Sequence, residues 1–369
     1  MKNVLLVVGN GFDLNIGLKT SYNDFIGSIK LYKKRNEFRL TVDESSINFD
    51  DEIYNESYFD FEGNYFIDEE NEIIKVKKNY LIQELKGLHE IDNWVDLEYM
   101  LGVIAKNNFR NIEQIIMDLK MKVNINPSNF IKDEYDELKL LLKEYLKIQS
   151  KKLFSDLYPP MWDKDSILKM YNKYNQFNSF KTLKELMDTE SIELTILNFN
   201  YTYSLIYLMD FIRTFKRMNI SSFIIENSNT EETEITVPHK HIFAHGNIRK
   251  EIVFGIDDKE NVEKQYIFLH KSFDKLKTNT NVPKLLNDSA EIVFFGSSLG
   301  KTDESYFDDF FKNICIYNDK MEKRQKRLMF FYYKYDGYVD IFNRLIELTN
   351  HNTAKLKHNN NIQFIDSSY

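Results

Sequence analysis

A chain of 369 residues, 43% hydrophobic and 29% charged, has the composition of a folded globular protein and suffices for one large domain or two ordinary ones. Its net charge of −8 leaves no basic excess to displace counterions, which argues against a generic nucleic-acid-binding surface. Cys315 is the only cysteine, which excludes an intrachain disulfide and a four-cysteine zinc site. No basic leader precedes a longer apolar core and no apolar run reaches spanning length, so a cytoplasmic protein is expected.

The chain opens on an apolar strand, Val4 to Val8, that runs into Gly9-Asn10-Gly11-Phe12-Asp13-Leu14-Asn15-Ile16-Gly17. Gly9 and Gly11 permit backbone angles and a closeness of approach that a Cβ forbids. A helix starting there would offer unpaired N–H groups to a phosphate, which is the logic of a dinucleotide-binding turn. The third glycine, Gly17, comes six residues after the second rather than three, and a tight turn without a ligand is the alternative. From Tyr22 to Ser191 the pattern is mainly helical: Tyr80 to Leu88, Leu97 to Ala105, Asn111 to Met121, and a periodic run from Asp133 to Leu157 that stops before Pro159-Pro160. Val42 to Ile73, acidic and aromatic, reads as an insertion loop or a small hairpin.

Four further apolar runs read as strands buried on both faces of a parallel sheet: Leu194–Leu197, Ser222–Ile225, Ile292–Phe295 and Leu328–Tyr333. His241–Phe243, Ile252–Phe254 and Ile362–Ile365 are weaker candidates, with helices expected at Tyr203 to Lys216 and Val339 to Leu348. The basic run Lys320–Arg327 reads as a solvated helix face. The expectation is an α/β fold, a Rossmann-like, mostly parallel sheet with a large helical insertion after the first βα unit. In residue numbers, 1–25 and 191–369 form the nucleotide-binding domain and 26–190 the inserted, mainly helical subdomain.

Ligands bind at the carboxyl ends of strands in such sheets, and three clusters fall there. Phe199-Asn200-Tyr201-Thr202 offers in Asn200 an amide able to hold a ribose hydroxyl or orient a water, or else a turn or helix cap. Ala244-His245-Gly246-Asn247 offers in His245 a general base near neutral pH, or else a structural histidine. Gly296-Ser297-Ser298-Leu299, followed by Gly300 to Asp303, is a turn of glycine, hydroxyls and an acid that closes over a nucleotide or simply joins strand to helix.

In this order the motifs resemble the bacteriophage abortive infection AbiH family. The resemblance is carried by Gly9 to Asp13 with Gly17, Leu18, Thr20 and Tyr22, then Trp94 to Glu98, Phe199 to Thr202, Ala244 to Gly246, Phe254 to Asp257 and Gly296 to Leu299. A role in bacterial defence against phage is what the family implies. More distantly, the glycine turn, Asn200, His245-Gly246 and Gly296 to Asp303 resemble the sirtuin-like NAD-binding domain. There, the residues matching Asn200 and His245 lie at the nicotinamide–ribose bond. Asp13, Thr202 and Asn10 depart from that pattern, and without zinc cysteines the resemblance does not extend to a protein deacylase.

The resemblance implies hydrolysis of NAD or a related nucleotide at its N-glycosidic bond, through an oxocarbenium-like ribosyl group. Asn200, His245, Asp13 and Glu98 are the candidate catalytic residues, Glu98 sharing a helix face with Trp94 or standing as an exposed carboxylate. Gly9, Asn10, Gly11, Phe12, Gly17, Thr20, Tyr22, Tyr201, Gly246, Gly296, Ser297, Ser298 and Asp303 are the candidate nucleotide-binding residues. NAD is substrate or ligand, with no other cofactor and no metal. A phage-derived activator and a second copy of the chain are the partners left open, with neither membrane nor clear nucleic acid. The alternatives are a nucleotide-sensing module without turnover and a magnesium nuclease built on Asp13, Asp96 and Glu98.

Overall fold

The computed structural model describes residues 2–31, 65–76, 79–91, 96–107, 109–110, 112, 126–158, 164–188, 192–217, 240–275, 281–316 and 325–368. Its strands are β1 (Lys2–Val8), β2 (Ile29–Leu31), β3 (Tyr65–Asp68), β4 (Ile73–Val76), β5 (Ile192–Asn198), β6 (Lys240–Phe243), β7 (Glu291–Phe295), β8 (Arg327–Tyr332) and β9 (Asn361–Asp366). Six of them form one sheet in the order β6-β5-β1-β7-β8-β9, and every pairing in it is parallel. The chain steps outward from β1 through β5 to β6, then returns to the other side of β1 and steps outward again. This is the doubly wound Rossmann order, with its reversal between β1 and β7.

The lack of polar alternation in the strands has a direct cause, since both faces of the sheet are covered. Val4, Leu6, Val8, Leu194, Ile196, Val293 and Phe295 pack on one face. Leu5, Val7, Leu197, Ile292 and Phe294 pack on the other. The first face is covered by helices Lys164–Tyr174, Asn178–Asp188 and Ser204–Arg217, and by the last turns of Pro127–Leu157 through Leu153 and Leu157. The second lies under Val282–Asp288, Glu304–Ile316, Lys334–Leu348 and Thr353–Asn359. Each of these apolar side chains contributes about 1.5–3 kcal/mol on burial.

A third core joins helices Tyr22–Ser28, Tyr80–Ile91, Leu97–Lys106 and the first half of Pro127–Leu157. This long helix starts with Pro127 in its first turn and Asn126 accepting from Ser128 N at 3.0 Å. The third core is not closed by residues of 26–190 alone. Ile252, Phe254, Ile256, Tyr266 and Leu269 complete it, and the Tyr135 hydroxyl donates to Phe254 O. Helices Lys164–Tyr174 and Asn178–Asp188, assigned by sequence to the insertion, pack instead on the parallel sheet.

The described part of Val42 to Ile73 contains β3 and the start of a β3–β4 hairpin, which β2 extends in parallel to a second, three-stranded sheet. Ile252–Phe254 is not a strand; Ile252 only bridges to Gly246. Ser222–Ile225, Trp94, most of Asn111 to Met121 and most of Lys320–Arg327 lie outside the described residues. Among the described residues, no helix is long and apolar enough to cross a membrane.

Candidate functional site

The turn after β1 and the turn after β7 are packed backbone against backbone. Gly9 N donates to Phe295 O at 3.0 Å, Gly11 N to Gly296 O at 2.9 Å, and Phe12 N to Gly9 O at 2.9 Å. A Cβ on Gly11 would lie 2.7 Å from Gly296 Cα, and one on Gly296, at φ +63°, would lie 2.2 Å from Phe12 N. These glycines are therefore demanded by the contact between the two turns, and the three amides are occupied within the protein. The helix that follows, Gly11–Asn15, has only five residues. The close contact of the two turns accounts for Gly9 and Gly11 without a ligand.

Several other expected ligand residues have structural duties. Phe12 is a core residue, its ring edge-on to Phe295 at 5.8 Å. Thr20 Oγ1 donates to Asn10 Oδ1 at 2.7 Å, tying the turn to the chain beyond Gly17. Gly246, at φ +71°, faces Glu251 O so closely that a Cβ would lie 2.0 Å away. Ser297 Oγ accepts from Leu299 N at 3.4 Å, while Ser298 is exposed.

Two groups of polar side chains gather at the carboxyl ends of β1, β5, β6 and β7. The first surrounds Asp13, which is fully buried. Its carboxylate accepts from Thr202 Oγ1 at 2.6 Å and from Ser204 Oγ. Burial raises its pKa from 3.8 to about 6, against the lowering effect of Ser204, Thr202 and Asn200. Asn200 is held by its own backbone, N donating to Asn198 Oδ1 at 2.9 Å. Its side chain is buried beside Asp13, whose carboxylate it helps to stabilise, and neither Nδ2 nor Oδ1 makes a well-formed hydrogen bond among the described residues. A buried amide left in this state is costly and is a common mark of a ligand-facing group.

The second group is a chain of charges. Lys271, 1% exposed, places Nζ 2.7 Å from Glu98 Oε2, 2.8 Å from Asp303 Oδ1 and 3.0 Å from Thr302 O. Asp303 Oδ1 also lies 3.0 Å from His245 Nε2. Phe199 meets the His245 ring edge-on at 5.1 Å, and the Tyr306 ring lies at 5.6 Å. Burial raises Glu98 to about pKa 7, with Asp303 and Asp96 adding to the rise and Lys271 opposing it. Burial pushes Asp303 the same way, but Lys271 and His245 outweigh it and hold that carboxyl well below the usual range. Burial works against the Lys271 ammonium, yet Asp303 and Glu98 keep its pKa above the ordinary lysine value. Tyr22 and Tyr201 are raised by burial and by Glu98, and the Tyr201 hydroxyl donates to Val253 O at 2.9 Å.

The two groups are neighbours through the sheet. Val8 pairs with both Asn198 and Phe295, and Asn198 pairs with Phe243, so the residues beyond these ends emerge side by side. At the usual strand spacing, two steps put the His245 backbone about 10 Å from the Gly9 turn. Asp13, Asn200, His245, Glu98 and Asp303 thus belong to one region. Asp303, expected to contact nucleotide, is engaged by Lys271 and His245 instead. Lys271 was not read from sequence. A lone lysine in the apolar stretch Tyr266 to Phe273 carries no spacing signal, and its isolation there is the only hint.

The carboxylates of the nuclease alternative each have protein partners. Asp96 caps the helix Leu97–Lys106 by accepting from Glu98 N and Tyr99 N, both at 3.1 Å. Asp13 is taken by hydroxyls and Glu98 by Lys271. Among the described residues, no group of three or more His, Cys, Asp or Glu is arranged to hold a metal ion. Chemically, the region combines a neutral amide, a histidine and two carboxyls that ionise near neutrality.

A family model described as Bacteriophage abortive infection AbiH matches residues 5–321. No curated protein and no solved structure matches the chain, so the likeness to sirtuin-like domains gains no support from a relative. The matched span holds the first turn, Asp13, Glu98, Asn200, His245, Lys271 and Asp303. With most of its length covered, the chain belongs to the bacteriophage abortive infection AbiH family, which indicates a role in the bacterial abortive response to phage.

Proposed function

We propose that this protein acts in abortive infection by hydrolysing the N-glycosidic bond of NAD or a related nucleotide at the carboxyl ends of β1, β5 and β6. The observation that carries this reading is the buried amide of Asn200, without a well-formed hydrogen bond among the described residues, beside the buried carboxyl of Asp13. The doubly wound strand order supports it, since such sheets bind ligands where these residues emerge. For NAD, the C1′–N bond breaks with its electron pair going to the pyridinium nitrogen, so nicotinamide leaves neutral. The ribosyl cation takes a water oxygen, and the water's proton passes to His245. Asn200 holds the ribose hydroxyls or the water, while Asp13 and Glu98 supply negative charge when ionised. Removing a shared nucleotide from an infected cell suits an abortive response.

The test is chromatographic detection of free base released from NAD and a panel of other nucleotides, by wild type and Asn200→Ala. Release by wild type and its loss in the variant is the expected result. Consumption of none, even with phage extract, overturns the hydrolase. Tight nucleotide binding without turnover would then favour the sensing module, a reading that the closely bonded β1 and β7 turns support as a rigid receptor.

A further inference from the structure

We propose that Lys271 is a positioning residue of this site, the buried cation that joins Glu98 to the Asp303–His245 pair and sets how readily Glu98 gives up its proton. The proposal deepens the hydrolase reading and rests on it only for its kinetic arm.

The geometry is specific. One ammonium meets a different carboxyl on each side, Glu98 from the helix Leu97–Lys106 and Asp303 from the turn following β7. Asp303 has a second neighbour in His245, whereas Glu98 Oε2 meets Lys271. Glu98 Oε1 is buried and meets no hydrogen-bond partner among the described residues. With Lys271 and Glu98 buried and Asp303 partly so, two carboxyls sharing one lysine cannot all be comfortable as ions, because an uncompensated buried charge is expensive. Asp303, held low by Lys271 and His245, keeps its charge, and the proton falls to Glu98.

The surroundings act in the same direction. Asp96 faces Glu98 from the helix cap, and Tyr22 and Tyr201 feel its charge from the helix Tyr22–Ser28 and the turn following β5. Tyr306, with Asp257 and Asp258 near it, borders Asp303. None of these adds a cation. Lys271 also lies where the third core, closed by Leu269 and Ile256, meets the sheet-end turn carrying Thr302. Its backbone is fixed there, Lys271 N donating to Ile256 O at 3.0 Å. Loss of the cation should therefore alter proton affinity at Glu98 before it alters where a nucleotide binds.

The experiment follows the glutamate carboxyl signals of ¹³C-labelled protein against pH, with the Glu98 signal assigned through Glu98→Gln. In wild type it should titrate near pH 7. In Lys271→Met it should move up by roughly one pH unit or more, and Lys271→Arg should bring it back. Titration below pH 5 in wild type, or no movement in Lys271→Met, overturns the proposal. If Lys271→Met fails to fold, the double variant Lys271→Met/Glu98→Gln should recover folding by removing the stranded carboxyl. A double variant that folds no better than the single one also overturns it. In the kinetic arm, the Glu98-dependent limb of the pH–rate profile should shift in Lys271→Met with KM for nucleotide little changed. Absence of turnover in wild type defeats the hydrolase reading, and the titration alone then decides Lys271.

Discussion

The first turn and the Glu98–Lys271–Asp303–His245 chain make opposite use of the residues that line them. In the turn, a glycine pattern suited to a ligand is packed against the protein's own backbone, with Gly11 N bonded to Gly296 O at 2.9 Å. In the charge chain, no contiguous motif exists, yet four titratable groups from four segments follow one another, each within 3.0 Å of the next. The difference teaches that glycine spacing reports only close approach, whatever approaches. Chemistry is better sought where burial leaves charge or an amide without full compensation.

The largest effect should come from stranding those charges. Lys271→Ala leaves two carboxyls without their shared cation and should cost about 3–5 kcal/mol. Denaturant titration near neutral pH checks this, and a loss below about 1 kcal/mol would mean the cluster is better solvated than its burial implies.

Gly296→Ala should cost about 3 kcal/mol, since an L side chain there meets both unfavourable φ and the Phe12 amide. The same urea experiment distinguishes packing from ligand cradling. A Gly296→Ala or Gly11→Val protein as stable as wild type, impaired only in nucleotide binding, would favour the phosphate-turn reading.

A smaller effect concerns pH. Asp13 and Glu98 have folded pKa values of about 6 and about 7, above their ordinary 3.8 and 4.5. The folded state therefore binds more protons than the unfolded chain between about pH 4 and 7. Their contribution to stability is fullest below that window and is lost as pH rises through 6 and then 7. Asp303, held low, acts oppositely, its contribution lost only as acid protonates it. Asp13→Asn should flatten the fall in Tm from pH 4 to 7, and an unchanged slope would clear Asp13 of the effect. Ser298→Ala, at an exposed position, should change stability by no more than about 0.5 kcal/mol.

The sheet was largely legible because its strands are buried on both faces. Val4–Val8, Leu194–Leu197, Ile292–Phe295 and Leu328–Tyr333 each fall on a strand as nearly unbroken apolar runs. The sequence pattern places the start of the long helix before Pro159 six residues late. Its first turn, from Pro127, is marked by capping rather than by apolar spacing. Ile252–Phe254 looked like a strand because its residues are apolar and β-branched. They are buried against helices rather than beside another strand, and composition cannot distinguish those two partners. Of the site, Asp13, Asn200 and His245 were visible because each follows a strand, and Glu98 because it lies in a motif. Lys271 was not, since its partners lie at positions 98 and 303 and only the folded chain brings them together.

The central claim is that His245, in the company of Asn200 and Asp13, does chemistry on a nucleotide. Free-base release by wild type and His245→Ala, compared at equal folded concentration, tests it most directly. The account predicts a fall of roughly 10²–10⁴-fold with nucleotide binding mostly retained, as for loss of a positioned acid–base group. Equal rates in the two proteins, or no release by wild type under any condition that preserves binding, would contradict it.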